Sequence, residues 1–420
     1  MTQLKGIEPF LHLPHGDLCA DARTDGDRDR DLLQVDGPPG LRGLLKHVAT
    51  PISVLNGLVS GVWAPAGKCG FYLHRENFVH ESPIEKLRWC VLAALNPLNT
   101  CFAPVVGATR VSIDQTLTHL RRAGVDPVGV SALFRDDELH MEKLIEARRG
   151  IPPLVDLVTE HGARHQLWCL SAGEGELLAG LLTRLGGALV GDLSLYRALL
   201  RARDLPFVSG ETWPVVRFYN QRDFGVALAG TVRCYNLPVG LELNLLVERL
   251  HRFYDVSEFS LAGAADESCL ALRGFLDELR SEGVAHRAIG MLARGTDTAF
   301  LIRAKEEQVA LIGHENPPYV ATQFDAEWLE KGILRQVSPQ HDLELVTVTC
   351  EAEDASVALE RFGAQLAFVL NPPAKRHIPE LARSQWRLPV GALQLVPATP
   401  RGIVLVPLKP SDQKVTVPRV

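Results

Sequence analysis

Apolar residues recur at three- and four-residue spacing over Ile84–Leu95, Asp114–Ala123, Asp136–Arg149, Glu174–Leu185, Asp192–Arg203, Glu242–Phe253 and Asp266–Ser281, a period that predicts helices with one buried face. Between them, short runs rich in β-branched and aromatic residues predict strands at Gly70–His74, Gln166–Leu170, Ala188–Val190, Val215–Tyr219 and Phe224–Val232. Thr298–Ala304 and Gln308–Gly313, joined by Lys305-Glu306-Glu307, read as a hairpin. A last series predicts strand Leu343–Glu351, helix Asp354–Phe362, strand Gln365–Leu370, helix Pro379–Ser384 and strand Ile403–Leu408. Such alternation predicts an α+β or α/β architecture. Residues 1–45 read as an extended lead-in, and no fixed-period repeat or low-complexity segment separates the parts. The passage from strand-rich sequence to a long helix near Leu237-Pro238-Val239-Gly240 suggests an N-terminal domain over 1–237 and a C-terminal domain over 238–420.

Length narrows this picture, since 420 residues suffice for about two to three domains. The 46% apolar and 22% charged fractions match ordinary globular proteins, which sets aside disordered and rod-like chains. With 44 basic against 50 acidic side chains, the formal charge of -6 supplies no basic field for nucleic acid, so none is expected as a partner. The apolar stretches Val54–Trp63 and Cys90–Leu95 fall far short of the roughly 20 residues a membrane helix needs. No leader pattern opens the chain, and the expectation is a cytoplasmic protein without a membrane partner. The eight cysteines are scattered without a CxxC pair and read as buried thiols.

Several constellations carry candidate chemistry. Asp25, Asp27, Asp29 and Asp36 mimic a calcium loop, but Arg30 stands where the sharp turn needs glycine, so a solvated charge run fits better. His161 and His165 have the spacing of two ligands on one helix face, yet Gly162 replaces the glutamate of a zinc-protease motif and a strand follows; no metal site is expected. Phosphate-cradling glycine loops and the Gly-x-Ser-x-Gly elbow are absent. There remain His80-Glu81 after a strand, Arg164-His165 leading into one and Arg233 ending one. A carboxylate beside an imidazole can act as general base and arginines can grip phosphate, although each residue singly also fits a surface or capping position.

Read in order, these fragments resemble the domain of unknown function 1015 family, a ParB/sulfiredoxin-like family of bacteria and archaea. Gly6–Phe10 is similar to its opening, and Pro38-Pro39 to its Pro-Pro-Tyr-Asp, with Gly40-Leu41 in place of the last two. Gly70–Leu73 through His80-Glu81-Ser82, then Lys86, Arg88 and the region ending at Asn99, resemble its HE-x-T strand and the basic helix after it, with Pro83 for the Thr. Gly162–Trp168 matches its G-x-R-H-x-L-W strand, and Leu370-Asn371-Pro372-Pro373 through Gly402-Ile403-Val404 follows its C-terminal frame. The polar positions depart from the pattern. Where the family has Asp-Gly-His-His-Arg-Tyr, a turn that grips phosphate, this chain has Gly191-Asp192-Leu193-Ser194-Leu195-Tyr196. Arg233 survives from a Pro-Thr-His-Arg strand end, and Gly391, Ala392, Leu393 and Ala398 stand for Lys, Ser, Thr and Lys.

The resemblance implies a ParB/sulfiredoxin-like α+β N-terminal part and an α/β C-terminal part. It also implies a site with Glu81 and His80 as catalytic residues and Arg164, His165, Arg233 and Asp192 as ligand-binding residues, gathered around one cleft. Because packing residues specify fold while polar groups specify chemistry, the emptied positions imply a non-catalytic member that binds a small metabolite or protein partner. The alternative is an ATP-dependent phosphotransferase acting on a small hydroxyl metabolite such as serine, with ATP and Mg as cofactors. Asp192 is further expected at the N-cap of a helix that follows a strand.

Overall fold

The computed structural model describes residues 3–12 except 8, 63–66, and 70–408 apart from 81, 160–161, 206–207, 209–211, 264, 306–316, 339–342, 350–354 and 399–402. The Asp25–Asp36 charge run, Pro38-Pro39, Glu81, His161 and the Gln308–Gly313 half of the expected hairpin lie outside these residues. The chain divides into two units, one containing Gly43–Ala227 and, from the C-terminal end, Leu395–Val420, the other containing Leu228–Gln394. This division differs from the expected one at residue 237 in its boundary and in the return of the last segment.

The first unit is built on a nine-stranded mixed sheet. In chain order its elements are β1 (Leu4–Lys5), β2 (Phe10–His12), β3 (Trp63–Pro65), β4 (Tyr72–His80), β5 (Ser82–Leu95), β6 (Phe102–Pro104), α1 (Arg110–Ala123), β7 (Val125–Asp126) and β8 (Val130–Phe134). There follow α2 (His140–Glu146), β9 (Val155–Val158), β10 (Arg164–Cys169), α3 (Ala172–Leu185), β11 (Gly187–Gly191), α4 (Leu193–Ala202) and β12 (Val215–Asn220). The strand order is β6-β11-β8-β12-β5-β4-β10-β9, with β1 also pairing β5. After the short strands β13 (Ala227–Leu228) and, much later, β20 (Leu395–Val396), β21 (Val404–Pro407) completes a four-stranded sheet in the order β3-β2-β21-β7.

The largest departure from the expected elements is β5, where Ile84–Leu95 was expected to be helical. It pairs with β4 from Tyr72↔Leu92 onward and with β12 from Val215↔Ala94 to Tyr219↔Cys90. Cys90, Val91, Leu92, Ala93 and Leu95 are fully buried. A strand covered on both faces is a continuous apolar run, and over a short window periodicity does not separate that from a buried helix.

The other helices of this unit lie where expected, because local signals fix their ends. Thr109 caps α1 by accepting from Ser112 N at 3.1 Å, and Gly124 closes it at φ 66. Ser171 and Glu174 form a reciprocal capping box on α3. Asp192 caps α4, its carboxylate accepting from Leu195 N at 3.1 Å, directly after β11 as the sequence suggested.

The second unit holds β14 (Val232–Asn236), α5 (Leu243–Phe253), β15 (Asp255–Ser260), α6 (Ala265–Ala285), β16 (Ala288–Ala293), β17 (Thr298–Arg303), β18 (Glu344–Thr349), α7 (Ala355–Arg361), β19 (Leu366–Val369) and α8 (Ile378–Ser384). A further helical stretch covers Asp325–Glu327, Trp328–Ile333 and Leu334–Val337. Its six strands are ordered β15-β17-β16-β19-β14-β18, each pairing antiparallel. Thr298–Arg303 does enter a hairpin, with β16 as the preceding arm. Phe275, Leu276 and Leu279 of α6 bury against Val232, Cys234, Leu292, Leu301 and Ala367 of the sheet. The molecule thus has mixed α and β content in both units, and no helix among the described residues is long and apolar enough to cross a membrane.

Two glycines of α3 test this packing. A Cβ on Gly175 would come within 2.7 Å of the Phe71 ring, whereas one on Gly180 meets nothing within 4 Å. Gly180→Ala is expected to stabilise the protein by about 0.5–1 kcal/mol through helix propensity. Gly175→Ala should instead lose about 1–3 kcal/mol to overpacking, less that same propensity gain. Thermal melts of the two variants give the comparison.

Candidate functional site

Alternation along the central strands gathers a polar cluster on one face of the large sheet. His165 lies opposite Glu76, Glu76 opposite Arg88, His74 opposite Cys90, and Cys90 opposite Tyr219. Directly opposed residues share a face, so β10, β4, β5 and β12 each contribute to this stripe, and Arg217 joins it two positions from Tyr219. His74, Cys90, Arg88 and Tyr219 are 0% exposed, while Glu76, His165 and Arg217 are 1% exposed.

Glu76 holds the cluster together. Its Oε2 accepts from Arg88 Nε at 2.6 Å, with Nη2 at 2.5 Å, and its Oε1 accepts from the Tyr219 hydroxyl at 3.2 Å. Arg217 Nη1 lies 3.6 Å from the same Oε1 and 3.2 Å from His74 Nδ1, while Arg217 Nε donates to Val128 O at 2.9 Å. Arg88 Cζ lies 4.9 Å from the Phe78 ring centroid and 5.5 Å from that of Tyr219, and the guanidinium donates through Nη1 to Val396 O at 3.2 Å and through Nη2 to Pro397 O at 2.7 Å. His74 Nε2 meets His165 Nδ1 at 3.2 Å.

The electrostatics follow from burial and these partners. Burial alone would raise the Glu76 carboxyl, but Arg88, aided by His74, His165 and Arg217, holds it far below the usual carboxylate range. Burial lowers His74, and it brings His165 down to about 4 against the opposing pull of Glu76. The Cys90 thiol is pushed up to about 12 by burial and by Glu76, which makes it a poor nucleophile and a reluctant thiolate. With neutral imidazoles the cluster holds two cations against one carboxylate.

His74, Glu76 and Cys90 offer ligand atoms within 4.8 Å of one another. Their surroundings do not suit a metal ion. Arg217 already presses a cationic N–H on His74 Nδ1, and Arg88 takes the Glu76 carboxylate, so a divalent ion would face two guanidinium groups.

The residues singled out from sequence are dispersed around this cluster. Only His165 belongs to it. Arg164, its chain neighbour, projects from the opposite face of β10, exposed, with Nε and Nη2 bidentate on Asp156 at 2.7 and 2.6 Å. Hydrogen bonds from Arg164 hold Asp156 below its ordinary range. A shared cleft for Arg164 and His165 is therefore corrected, because adjacent strand residues point to opposite faces. His80 closes β4 opposite Ser82, half-buried, about 13 Å along the strand from Glu76 at roughly 3.3 Å per residue.

Arg233 belongs to the second unit. It is fully buried, with Nη2 paired to Glu330, Nη1 donating to Val390 O at 2.7 Å and Nε to the Tyr235 hydroxyl at 3.1 Å. Its donors thus serve the interior of that unit. In the first turn of α4, Leu193 and Leu195 are buried at 5% and 1% exposure, and Ser194 Oγ lies 2.7 Å from Ser112 Oγ.

Sequence reasoning missed Glu76, Arg217, Tyr219 and His74. Their signal is present in Tyr72–His80, where His74, Glu76 and His80 share strand parity, and in Val215–Asn220, where Arg217 and Tyr219 alternate with Val216 and Phe218. Arg88 was read as part of a basic helix, and only β pairing brings it inward.

No family model matches the chain. No curated protein matches it either. Among solved structures, a conserved hypothetical protein from Pyrococcus furiosus is 11% identical over 78% of this chain and 98% of its own, with a TM-score of 0.37. A variant of free serine kinase in complex with ADP is 12% identical over 76% of this chain and 91% of its own, with a TM-score of 0.32. Likenesses this distant assign no activity.

Removing the shared carboxylate should be costly while the surface pair is dispensable. Glu76→Gln leaves two buried guanidinium groups without their anion and is expected to lose about 3–5 kcal/mol. Arg164→Ala breaks an exposed, solvent-screened pair and should leave the unfolding midpoint close to that of the unsubstituted protein. Denaturant unfolding followed on Trp89 and Trp168 fluorescence, whose rings lie 5.5 Å apart in this unit, distinguishes the two.

Proposed function

We propose that this chain acts by binding, as a diverged, non-catalytic member of the family it resembles, with a small metabolite or a protein as its partner. The observation that carries this reading is the turn into α4. A phosphate grip needs polar side chains projecting from that turn, and here Leu193 and Leu195 are packed into the interior while Ser194 bonds Ser112. The C-terminal frame supports the same reading, since Ala392 and Leu393 are buried at 5% and 2% exposure where the family has Ser and Thr. Gly391, at φ 73, has Val348 Cγ1 3.0 Å from its would-be Cβ, so the family's lysine would fit there only by displacing that neighbour.

Loss of one well-placed donor to a transition state costs about 2.7–4 kcal/mol, and several are replaced here. The competing function is ATP-dependent phosphotransfer to a small hydroxyl metabolite such as serine, with Glu81 as base and His80, Arg164, His165 and Arg233 around the phosphates.

Nucleotide binding separates the two. A ligand that binds only the folded protein stabilises it by RT ln(1 + [L]/Kd), so a Kd weaker than about 1 mM holds the effect of roughly 1 mM Mg-ATP below about 0.4 kcal/mol. That small shift is the expected result of a thermal melt with Mg-ATP or Mg-ADP, with no resolvable heat in titration calorimetry. Micromolar nucleotide binding, together with serine-dependent turnover lost in Glu81→Gln, would sink the binding-only reading.

A further inference from the structure

Strands β8 and β12 run parallel, and the two turns that leave their carboxyl ends are tied to each other. Gln221 N donates to Phe134 O at 2.8 Å, and Asn220 Oδ1 accepts from Asp136 N and from Arg222 N, each at 3.2 Å. Side chains join them as well. Arg222 Nη1 donates to Asp137 Oδ1 at 2.7 Å, and Arg135 Nε donates to the same atom at 2.9 Å.

The turn after β12 is held firmly by its own polar groups. Asp223 accepts from Gly225 N at 2.8 Å and from Trp89 N at 2.9 Å, while its N–H donates to Asn220 O at 3.0 Å. Gly225 is pressed so close to β5 that a Cβ there would stand 1.9 Å from Leu87 O. Between these two residues Phe224 is 100% exposed. A phenyl ring left wholly in water on a backbone that cannot fold it away has the character of the anchors that protein interfaces bury.

The turn after β8 repeats the arrangement. Leu139 follows Asp137 by two residues, as Phe224 follows Arg222, and it is 48% exposed at φ 58. Leucine is strained in that left-handed region, and here Asp136 holds the backbone in place by accepting from Met141 N at 2.9 Å and pairing with His140 Nδ1 at 3.0 Å. Charge around the two apolar side chains is balanced. The half-exposed Arg135 and Arg222 stand against the half-exposed Asp137 and the exposed Glu138. A polyanion or an anionic membrane meets no net positive field at such a patch, whereas a surface with equal charges of both signs is its own complement.

From this pattern we propose that the two turns form the interface of a two-fold homodimer, in which Phe224 of each copy packs on Leu139 of the other about a bridge of Arg222 and Asp137 from both. A two-fold contact is reciprocal, so a patch with one apolar side chain on each turn and an ion bridge joining the turns fits its own image. The patch is small, which places the dimer at the weak end of specific association.

Sedimentation velocity of the full chain over a concentration series up to about 100 µM tests this, since a dimer with a micromolar Kd is populated there. A monomer–dimer equilibrium is expected. Its Kd should rise at least about tenfold in Phe224→Ala and in Leu139→Asn, and stay unchanged in Val239→Ala, whose side chain is equally exposed outside the patch. A melt of Phe224→Ala at low concentration should match that of the unsubstituted protein, because the fully exposed ring contributes nothing to the monomer's packing. Reciprocity is read by cross-linking in a Cys269→Ser background, which removes the exposed thiol among the described residues. A Phe224→Cys chain mixed with a Leu139→Cys chain should form the mixed disulfide more often than chance pairing gives. A monomer throughout the series, a dimer indifferent to Phe224→Ala, or mixed disulfide at no more than the chance level would overturn the proposal.

Discussion

The first unit depends on one carboxylate. Glu76 lies between Arg88 and Arg217 on a sheet face with no solvent to share the charge; it meets side chains from β5, β12 and its own strand and stands opposite His165 of β10. A buried ion pair is rarely a net source of stability, since desolvation of both charges offsets most of their attraction. Its effect is on specificity. A register slip of one residue in β4 would send Glu76 to the opposite face and leave two guanidinium groups in an apolar interior, a far worse alternative than a slip of aliphatic residues. The cluster therefore fixes how the central strands align, and through Arg88 it also fixes where the C-terminal segment returns.

That arrangement bears on chemistry as well. Phosphoryl transfer depends on cations aimed at a bound phosphate, with little reorganisation at the moment of reaction. In the described residues, the fully buried arginines are committed elsewhere: Arg88 to Glu76 and two carbonyls, Arg217 to His74 and Val128 O, Arg233 to Glu330, Tyr235 and Val390 O. These are structural cations by their partners. The first turn of α4 likewise carries Leu193 and Leu195, both packed into the interior.

Elements whose ends carry local signals were legible in the sequence. The caps at Thr109, Ser171 and Asp192 act within a few residues, so α1, α3 and α4 could be placed without tertiary information. The segment Ser82–Leu95 could not, because its apolar run is compatible with either a buried strand or a buried helix, and only pairing with β4 and β12 decides. The same failure hid the cluster. With β5 read as a helix, Arg88 belonged to a basic helix, and Glu76 had no visible partner.

Arg164 and His165 show why adjacency in sequence is a poor guide to a site on a sheet. One peptide bond separates them, yet one lies exposed on Asp156 and the other lies buried against His74. Sheet register reverses this relation for distant residues: His165 and Arg88 are far apart in the chain but flank the same glutamate. A dipeptide such as Arg-His therefore carries two unrelated environments, a solvated ion pair and a desolvated hydrogen bond. Chemistry assigned to the dipeptide as a unit has no geometric basis, whereas chemistry assigned by strand parity gathers Glu76, Arg88, Arg217 and the two histidines on one face.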